Sequence, residues 1–229
     1  MINMCFDFGH GGSDSGASYK GRFEKIDTLK LGMAVAKEVR RHGVKVDETR
    51  TADKTMSLSA RSSFERRKNY DYFISFHRNA FKPEAASGVE TFTFTRQTAK
   101  ARSLATKIQK NLVAVGFKDR GVKKANFHVL RETRSPAVLI EVGFIDNSRD
   151  NKIFDSKFNE IVKAITRAIL DEVGVKYKEN IRPAPSKPKG GTTYYRVMAG
   201  SYKNRKNAEA QISKLKKAGF ESTIMIYKP

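Results

Sequence analysis

AVLIEV, at residues 137–142, is a nearly continuous apolar run that contains one charged residue, Glu141. A run this short and this apolar is typical of a strand in the middle of a parallel sheet, where both faces are buried. YFISF at 72–76 has the same character, and the apolar run at 2–8 leads into the glycine-rich turn GHGGSDSG. The three runs predict the central strands of one sheet.

The segments between these runs include helical periodicity. Apolar residues recur at Leu31, Val35 and Val39, which is the spacing of one helix face. Strands that alternate with helices predict an α/β fold, in which a mixed β-sheet is flanked by helices. Helices are expected at 28–42, 58–69, 99–115 and 158–173, and further strands at 44–49, 88–95 and 127–130.

Composition divides the chain into three parts. We expect a catalytic domain at 1–175, a basic linker at 176–191 and a small separate unit at 192–229. The linker interleaves three prolines and two glycines with lysine and arginine. This composition is typical of an extended, solvated segment.

Charge is the most unusual bulk property, because 45 Lys and Arg against 24 Asp and Glu give a net charge of +21. Such a surplus predicts an anionic partner, which could be nucleic acid, a membrane surface or the anionic polymers of a bacterial wall. The aromatic residues follow core periodicity and no nucleic-acid motif is present, which argues against nucleic acid. No run approaches the ~20 apolar residues of a membrane span.

Polar residues lie where three strands are expected to end, which is the edge at which α/β sheets bind ligands. His10 follows the first strand, His77 follows YFISF, and Glu141 lies near the end of AVLIEV. Glu24 opens the first long helix. Two imidazoles and one carboxylate form the ligand set of catalytic zinc sites, which leaves one position for water. A second carboxylate is then needed to move protons.

Each of these residues also has an ordinary interpretation. A single histidine at a strand end is usually a polar loop residue, and Glu24 could be a first-turn helix acid favoured by the helix dipole. Glu141 is harder to explain in this way, because an unpaired carboxylate inside an apolar strand is costly. Spacing alone leaves these alternatives open, since the four residues are far apart and form no compact HExxH motif.

A resemblance to a known family narrows the roles. The segments DFGHGGSDSGA, GRFEK, LSARSSFERRKNYDYFISFHRNA, SGVETF and RGVKKANFHVLRETRSPAVLIEVGFIDN resemble, in the same order, the N-acetylmuramoyl-L-alanine amidases of the amidase-3 family. The resemblance covers residues 1–173 and implies a phosphorylase/hydrolase-like fold. It implies that His10, Glu24 and His77 bind zinc and that Glu141 is the catalytic glutamate.

The same resemblance implies a reaction. It is the hydrolysis of the peptidoglycan amide between N-acetylmuramic acid and L-alanine, which would lyse cell wall. Only residues 78–87 separate His77 from Gly88, so the inserted helix that blocks the site in some relatives has no room, and we expect no need for an activator. The alternatives are a catalytically inactive wall-binding protein and another zinc hydrolase directed at peptidoglycan.

The C-terminal unit resembles half of a sporulation-related (SPOR) repeat, a family that binds glycan strands. YRVMAGSY, AEAQISKLKKAGF and STIMIY carry the resemblance, and they predict one small βαβ unit with strands at 192–202 and 220–227. About 38 residues are too few for an independent core. We therefore expect two chains to pair their half-domains as a homodimer, and the alternative is that the half-domain packs on the catalytic domain or is only marginally stable.

The N-terminus leads straight into an apolar strand without a basic region or a cleavage site. This pattern argues against a signal peptide. We expect a protein made in the cytoplasm that acts on the bacterial cell wall after release, either in phage lysis as an endolysin or in lysis of the mother cell during sporulation.

Overall fold

A computed structural model of the protein describes residues 2–179 and 198–226. The chain divides into two compact units, Met1–Glu179 and Asn180–Pro229. Across the described ranges, no helix is both long enough and apolar enough to cross a membrane.

The first unit is a layered α/β structure, as the sequence predicted. In chain order its elements are β1 (Asn3–Phe8), β2 (Ser18–Tyr19), β3 (Arg22–Phe23), α1 (Glu24–Arg41), β4 (Lys45–Glu48), α2 (Leu58–Glu65), β5 (Tyr72–Asn79), β6 (Val89–Phe94), α3 (Ala99–Val115), β7 (Asp119–Ala125), α4 (His128–Arg131), β8 (Ala137–Phe144), α5 (Ser148–Ser156) and α6 (Phe158–Glu172).

One six-stranded sheet has the order β4-β1-β5-β8-β6-β7. The first four strands are parallel, β6 is antiparallel to β8, and β7 is parallel to β6. The sheet is therefore mixed, which confirms the predicted fold class. The reversal at β6 brings the beginnings of β6 and β7 to the edge where β1, β5 and β8 end.

The two faces of the sheet are covered differently. Side chains alternate along a strand, so that Phe6 packs into the core on one face and Cys5 into a smaller core on the other. The larger core lies beneath α1 and α3, and α6 packs on both of these helices. The smaller core is covered by α4, against which α2 packs. Further along this second face, towards the ends of β5 and β8, His77 and Glu141 replace the apolar residues.

The prediction of a strand at 127–130 is wrong. The edge strand β7 is Asp119–Ala125, and His128–Arg131 forms the short helix α4. Val129 and Leu130 are apolar because they pack into the smaller core from this helix, and not because they alternate in a sheet. The helix expected at 58–69 ends earlier, at Glu65.

The second unit contains one helix among its described residues, α7 (Arg205–Lys217). Asn204 caps it as expected, because its Oδ1 accepts a hydrogen bond of 2.9 Å from the backbone N–H of Lys206. Within the described ranges, no strand is assigned at 198–202 or at 220–226. The rest of the first expected strand, 192–197, and the last residue of the second lie outside the described residues.

A buried ion pair lies beneath the carboxyl end of β1. Asp7 accepts hydrogen bonds of 2.7 Å from Arg61 Nη1 and from Thr49 Oγ1. The Arg61 guanidinium also donates to the backbone carbonyls of Phe8 and His10, each at 2.7 Å. Although burial opposes ionisation, Arg61 holds the pKa of Asp7 below its usual value. The pair thus joins α2 to the loop that follows β1.

Arg61→Met should lower the free energy of unfolding by ~3–5 kcal/mol, because it leaves the buried Asp7 carboxylate without its counter-charge. Urea denaturation followed by circular dichroism measures this loss. Arg149→Met is the matched control, since Arg149 lies exposed on α5, and it should change stability by less than ~0.5 kcal/mol. Equal stabilities of the two variants would refute a supporting role for the ion pair.

Candidate metal centre

Gly9 and Gly16 leave the space that the rings of His77 and His10 occupy. A Cβ atom on Gly9 would lie 2.3 Å from His77 Cε1, and one on Gly16 would lie 2.6 Å from His10 Cδ2. His10 itself has a φ of 61°, a left-handed conformation that is unfavourable for a residue with a side chain. The glycine-rich turn therefore serves to aim His10 back towards the end of β5.

The structure brings His10, Glu24 and His77 together. One nitrogen or oxygen atom from each lies within 4.8 Å of the others. His10 Nε2 is 3.2 Å from Glu24 Oε2, and His77 Nδ1 is 2.9 Å from Glu24 Oε1. The three residues come from the turn after β1, the first residue of α1 and the last part of β5.

The Glu24 carboxylate is fixed by the backbone as well as by the histidines. Ala17 N–H donates to Oε2 at 3.0 Å, and Arg78 N–H donates to Oε1 at 3.1 Å. Although burial opposes ionisation, hydrogen bonds from His10 and His77 hold the pKa of Glu24 well below its usual range. The side chain is thus an anionic ligand in a fixed orientation.

Asp14 orients His10, and the sequence analysis did not identify it. Its Oδ2 lies 2.9 Å from His10 Nδ1, and its Oδ1 accepts from Gly16 N–H at 3.0 Å. A carboxylate on one ring nitrogen fixes the tautomer and turns the other nitrogen towards a metal. The sequence feature that could have indicated this contact is the short turn GHGGSDSG, in which Asp14 follows His10 by four residues.

Glu141 lies beside this cluster, directly opposite His77 in the pairing of β5 with β8. Its Oε2 is buried and has no hydrogen-bond partner among the described residues. Burial raises the pKa of Glu141 to about 7, and the negative charges of Glu24 and Glu90 act in the same direction against the opposing effect of His77. A carboxyl group with a pKa near neutrality can both accept and donate a proton.

Arg50, like Arg61, binds backbone carbonyls next to His10. Arg50 donates to the backbone carbonyl of Phe8 at 2.8 Å through Nε and to that of Gly9 at 2.9 Å through Nη2. Thr28 Oγ1 also donates to the Gly9 carbonyl, at 2.8 Å. These contacts fix the backbone immediately before His10, and no sequence pattern indicated them.

The donor set fits a metal ion in type and number. Two imidazole nitrogens and one ionised carboxylate are ligands that zinc accepts, and three protein ligands leave a further position open. The carboxylate of Asp14 behind His10 supports the same interpretation, because it stabilises one ring orientation. The connection from Asn79 to Val89 carries no helix, so nothing in it resembles a plug over the cluster.

Comparison with known proteins gives two family matches along the chain. The model of the N-acetylmuramoyl-L-alanine amidase family (Amidase_3) matches residues 4–171, and that of the SPOR domain matches residues 167–226. The sporulation-specific N-acetylmuramoyl-L-alanine amidase of Bacillus subtilis strain 168 is 33% identical over 99% of this chain and 85% of its own length. N-acetylmuramoyl-L-alanine amidase CwlM of Bacillus licheniformis is 31% identical over 98% and 85%, respectively.

A solved structure supports the same relationship. The catalytic domain of CwlV, an N-acetylmuramoyl-L-alanine amidase from Bacillus (Paenibacillus) polymyxa var. colistinus, superposes with a TM-score of 0.70 at 33% identity. The match covers 77% of this chain and 100% of that domain. Together with the two-histidine, one-glutamate cluster, these similarities show that the chain belongs to the N-acetylmuramoyl-L-alanine amidase family Amidase_3.

Proposed function

We propose that this chain is a zinc-dependent peptidoglycan hydrolase that cleaves the amide between N-acetylmuramic acid and L-alanine. The observation that carries the proposal is the convergence of His10, Glu24 and His77 within 4.8 Å, beside Glu141. Family membership supports the bond, because the relatives that match nearly the whole chain are named for it.

In this proposal His10, Glu24 and His77 hold the zinc ion. Zinc, when bound, supplies a Lewis acid that polarises a carbonyl group and makes water more acidic. The protein contributes the fixed orientation of the three ligands through Asp14 behind His10 and the backbone N–H groups that hold Glu24.

Glu141 moves the protons. It takes a proton from the attacking water and delivers it to the nitrogen of L-alanine as the amide breaks. Its position next to His77 and its pKa of about 7 suit both halves of this task, since the group can be ionised before the transfer and neutral after it. The base and the acid are then one side chain.

The alternatives make different products. A catalytically inactive wall-binding protein would release nothing, whereas another zinc hydrolase would cut a different bond in peptidoglycan. The intact cluster and the unpaired Glu141 Oε2 favour an active enzyme, because a buried carboxylate oxygen without a partner is unfavourable unless it has a function.

Digestion of purified peptidoglycan should therefore release peptides with new L-alanine amino termini, and mass spectrometry should detect them. No new reducing sugars should form, since glycosidic bonds stay intact. A chelator should abolish the release and added zinc should restore it. Reducing ends, or cleavage between two amino acids, would instead identify one of the other wall-directed hydrolases.

Glu141→Gln should bind zinc as the parent protein does but lose hydrolysis by about 10²–10⁴-fold, the usual worth of general acid–base catalysis. His77→Ala should lose both, because it removes a ligand. Metal content by mass spectrometry and release of peptides measure the two properties. Glu160→Gln, an exposed position on α6, is the control that should keep both. Full activity in Glu141→Gln would contradict this mechanism.

We propose three functional parts: the catalytic domain at 1–175, the linker at 176–191 and a wall-binding unit at 192–229. The match to the SPOR domain supports wall binding. From Lys176 to the end, thirteen basic residues against three acidic ones would strengthen this binding through anionic wall polymers.

We also propose that two chains pair through the second unit. Helix α7 has no buried residue, and Phe220 and Ile226 are 63% and 80% exposed. A unit of this size gains little stability from its own apolar residues. We propose that a second copy covers these side chains.

Light scattering at micromolar concentration should then give twice the mass of one chain. Phe220→Asp should shift the protein to a monomer, because a charge would be buried between the copies. Phe81→Asp, which changes an exposed phenylalanine of the first unit, should leave the dimer intact. A monomeric parent protein would exclude the pairing.

The setting that we propose is lysis of cell wall during sporulation. Its support is the sporulation-specific amidase of Bacillus subtilis, which matches 99% of this chain. Release during phage lysis is the alternative setting, and its support is the catalytic domain of the CD27L endolysin, which matches 75% of this chain at 26% identity with a TM-score of 0.65.

A further inference from the structure

A row of charged side chains extends from Glu141 to the edge of the sheet. Glu90 of β6 pairs directly with Glu141 of β8, so the two side chains lie next to each other on the same face. Arg120 Nε and Lys123 Nζ, both on β7, contact Glu90 Oε2, the first at 3.3 Å. The order along the sheet is therefore proton-transfer carboxyl, buried carboxylate, two cations.

At the outer end of this row, next to the sheet edge, the charges of Glu90, Arg120 and Lys123 do not balance. The Glu90 side chain is only 5% exposed, while those of Arg120 and Lys123 are 30% and 41% exposed. One buried carboxylate thus faces two cations whose charged ends reach solvent. This arrangement leaves a local excess of positive charge on the β7 side of Glu141.

The Arg120 guanidinium has hydrogen-bond donors that the described residues do not use. Its guanidinium lies over the ring of Phe144, 4.9 Å from the centroid, which restricts its orientation. Within the described part of the chain it donates only through Nε, to Glu90. The two terminal nitrogens form the planar fork that binds a carboxylate through two parallel hydrogen bonds.

We propose that Arg120, assisted by Lys123, binds a carboxylate of the peptide that leaves with L-alanine and so sets the preference for an acidic residue after it. The inference rests on the proposed amidase function. Two strand spacings of about 4.8 Å separate β8 from β7. Two extended residues span about 7 Å, so the residue after L-alanine comes within reach of the Arg120 side chain.

Two soluble substrates test this preference with the zinc-loaded full chain. N-acetylmuramoyl-L-Ala-D-Glu-L-Lys carries a free carboxylate after L-alanine, and its D-isoglutamine analogue carries a carboxamide there. We expect kcat/KM to be about tenfold higher for the acid, the scale of one charge-assisted hydrogen bond. Equal values would overturn the inference and leave the amidase function intact, whereas failure to cleave either would overturn both.

Arg120→Gln should bring the ratio of the two kcat/KM values close to one. Lys124→Gln is the matched control: it removes the same charge four residues further along β7, on the face opposite to Lys123, and should keep the ratio of the parent. A purely structural role for Arg120 would slow both substrates alike, and an unchanged ratio in Arg120→Gln would overturn the assignment.

Product inhibition of the unmodified enzyme provides a measurement that needs no variant. L-Ala-D-Glu-L-Lys, with lysine joined to the γ-carboxyl of D-Glu, should inhibit with a Ki about tenfold lower than L-Ala-D-isoglutaminyl-L-Lys, because the two differ only in a carboxylate against a carboxamide after L-alanine. The difference should shrink at high salt, which screens the exposed part of the interaction. Equal inhibition constants would exclude a carboxylate-binding role for Arg120 and Lys123.

Discussion

The contact between two buried arginines and the backbone after β1 is the constraint on which the rest of the site depends. Arg50 and Arg61 bind the carbonyls of Phe8, Gly9 and His10, while Arg61 is itself neutralised by Asp7. A loop with a histidine in the left-handed region would relax if it were exposed to solvent. Here the carbonyl oxygens of Phe8, Gly9 and His10 each have a charged donor, so His10 stays close to Glu24 and His77.

The sheet supplies the other half of the geometry. His77 and Glu141 lie in register on adjacent parallel strands, which places a metal-ligand candidate and a proton-transfer candidate side by side without any loop. Cys5 and Phe73 pair with each other and are buried in the smaller core. His77 lies four residues beyond Phe73 in β5, on the same face of the sheet but outside this core. The position of the site is thus a consequence of where α4 stops covering the face.

Much of this could be predicted from the sequence, and the limits have physical causes. AVLIEV and YFISF are apolar enough to indicate central strands, and a glutamate inside such a run is costly enough to stand out. β7 was missed because an edge strand with one exposed side has little apolar signal, and Val129 and Leu130 suggested a strand in its place. Arg50, Arg61 and Asp14 act through backbone carbonyls or another side chain, and such contacts depend on folding that no local spacing reveals.

Because β6 runs in the reverse direction, the two sides of the candidate site are built differently. On one side the wall is made of loops, the turn after β1 and the segment after β4, whose length can change without disturbing the sheet. On the other side it is made of β6 and β7 themselves, joined by ladder hydrogen bonds at a shift in register between Val89 and Thr91. A longer insertion there would disturb the pairing of a whole strand, so this side of the site can change more readily by exchange of side chains than by a change in length.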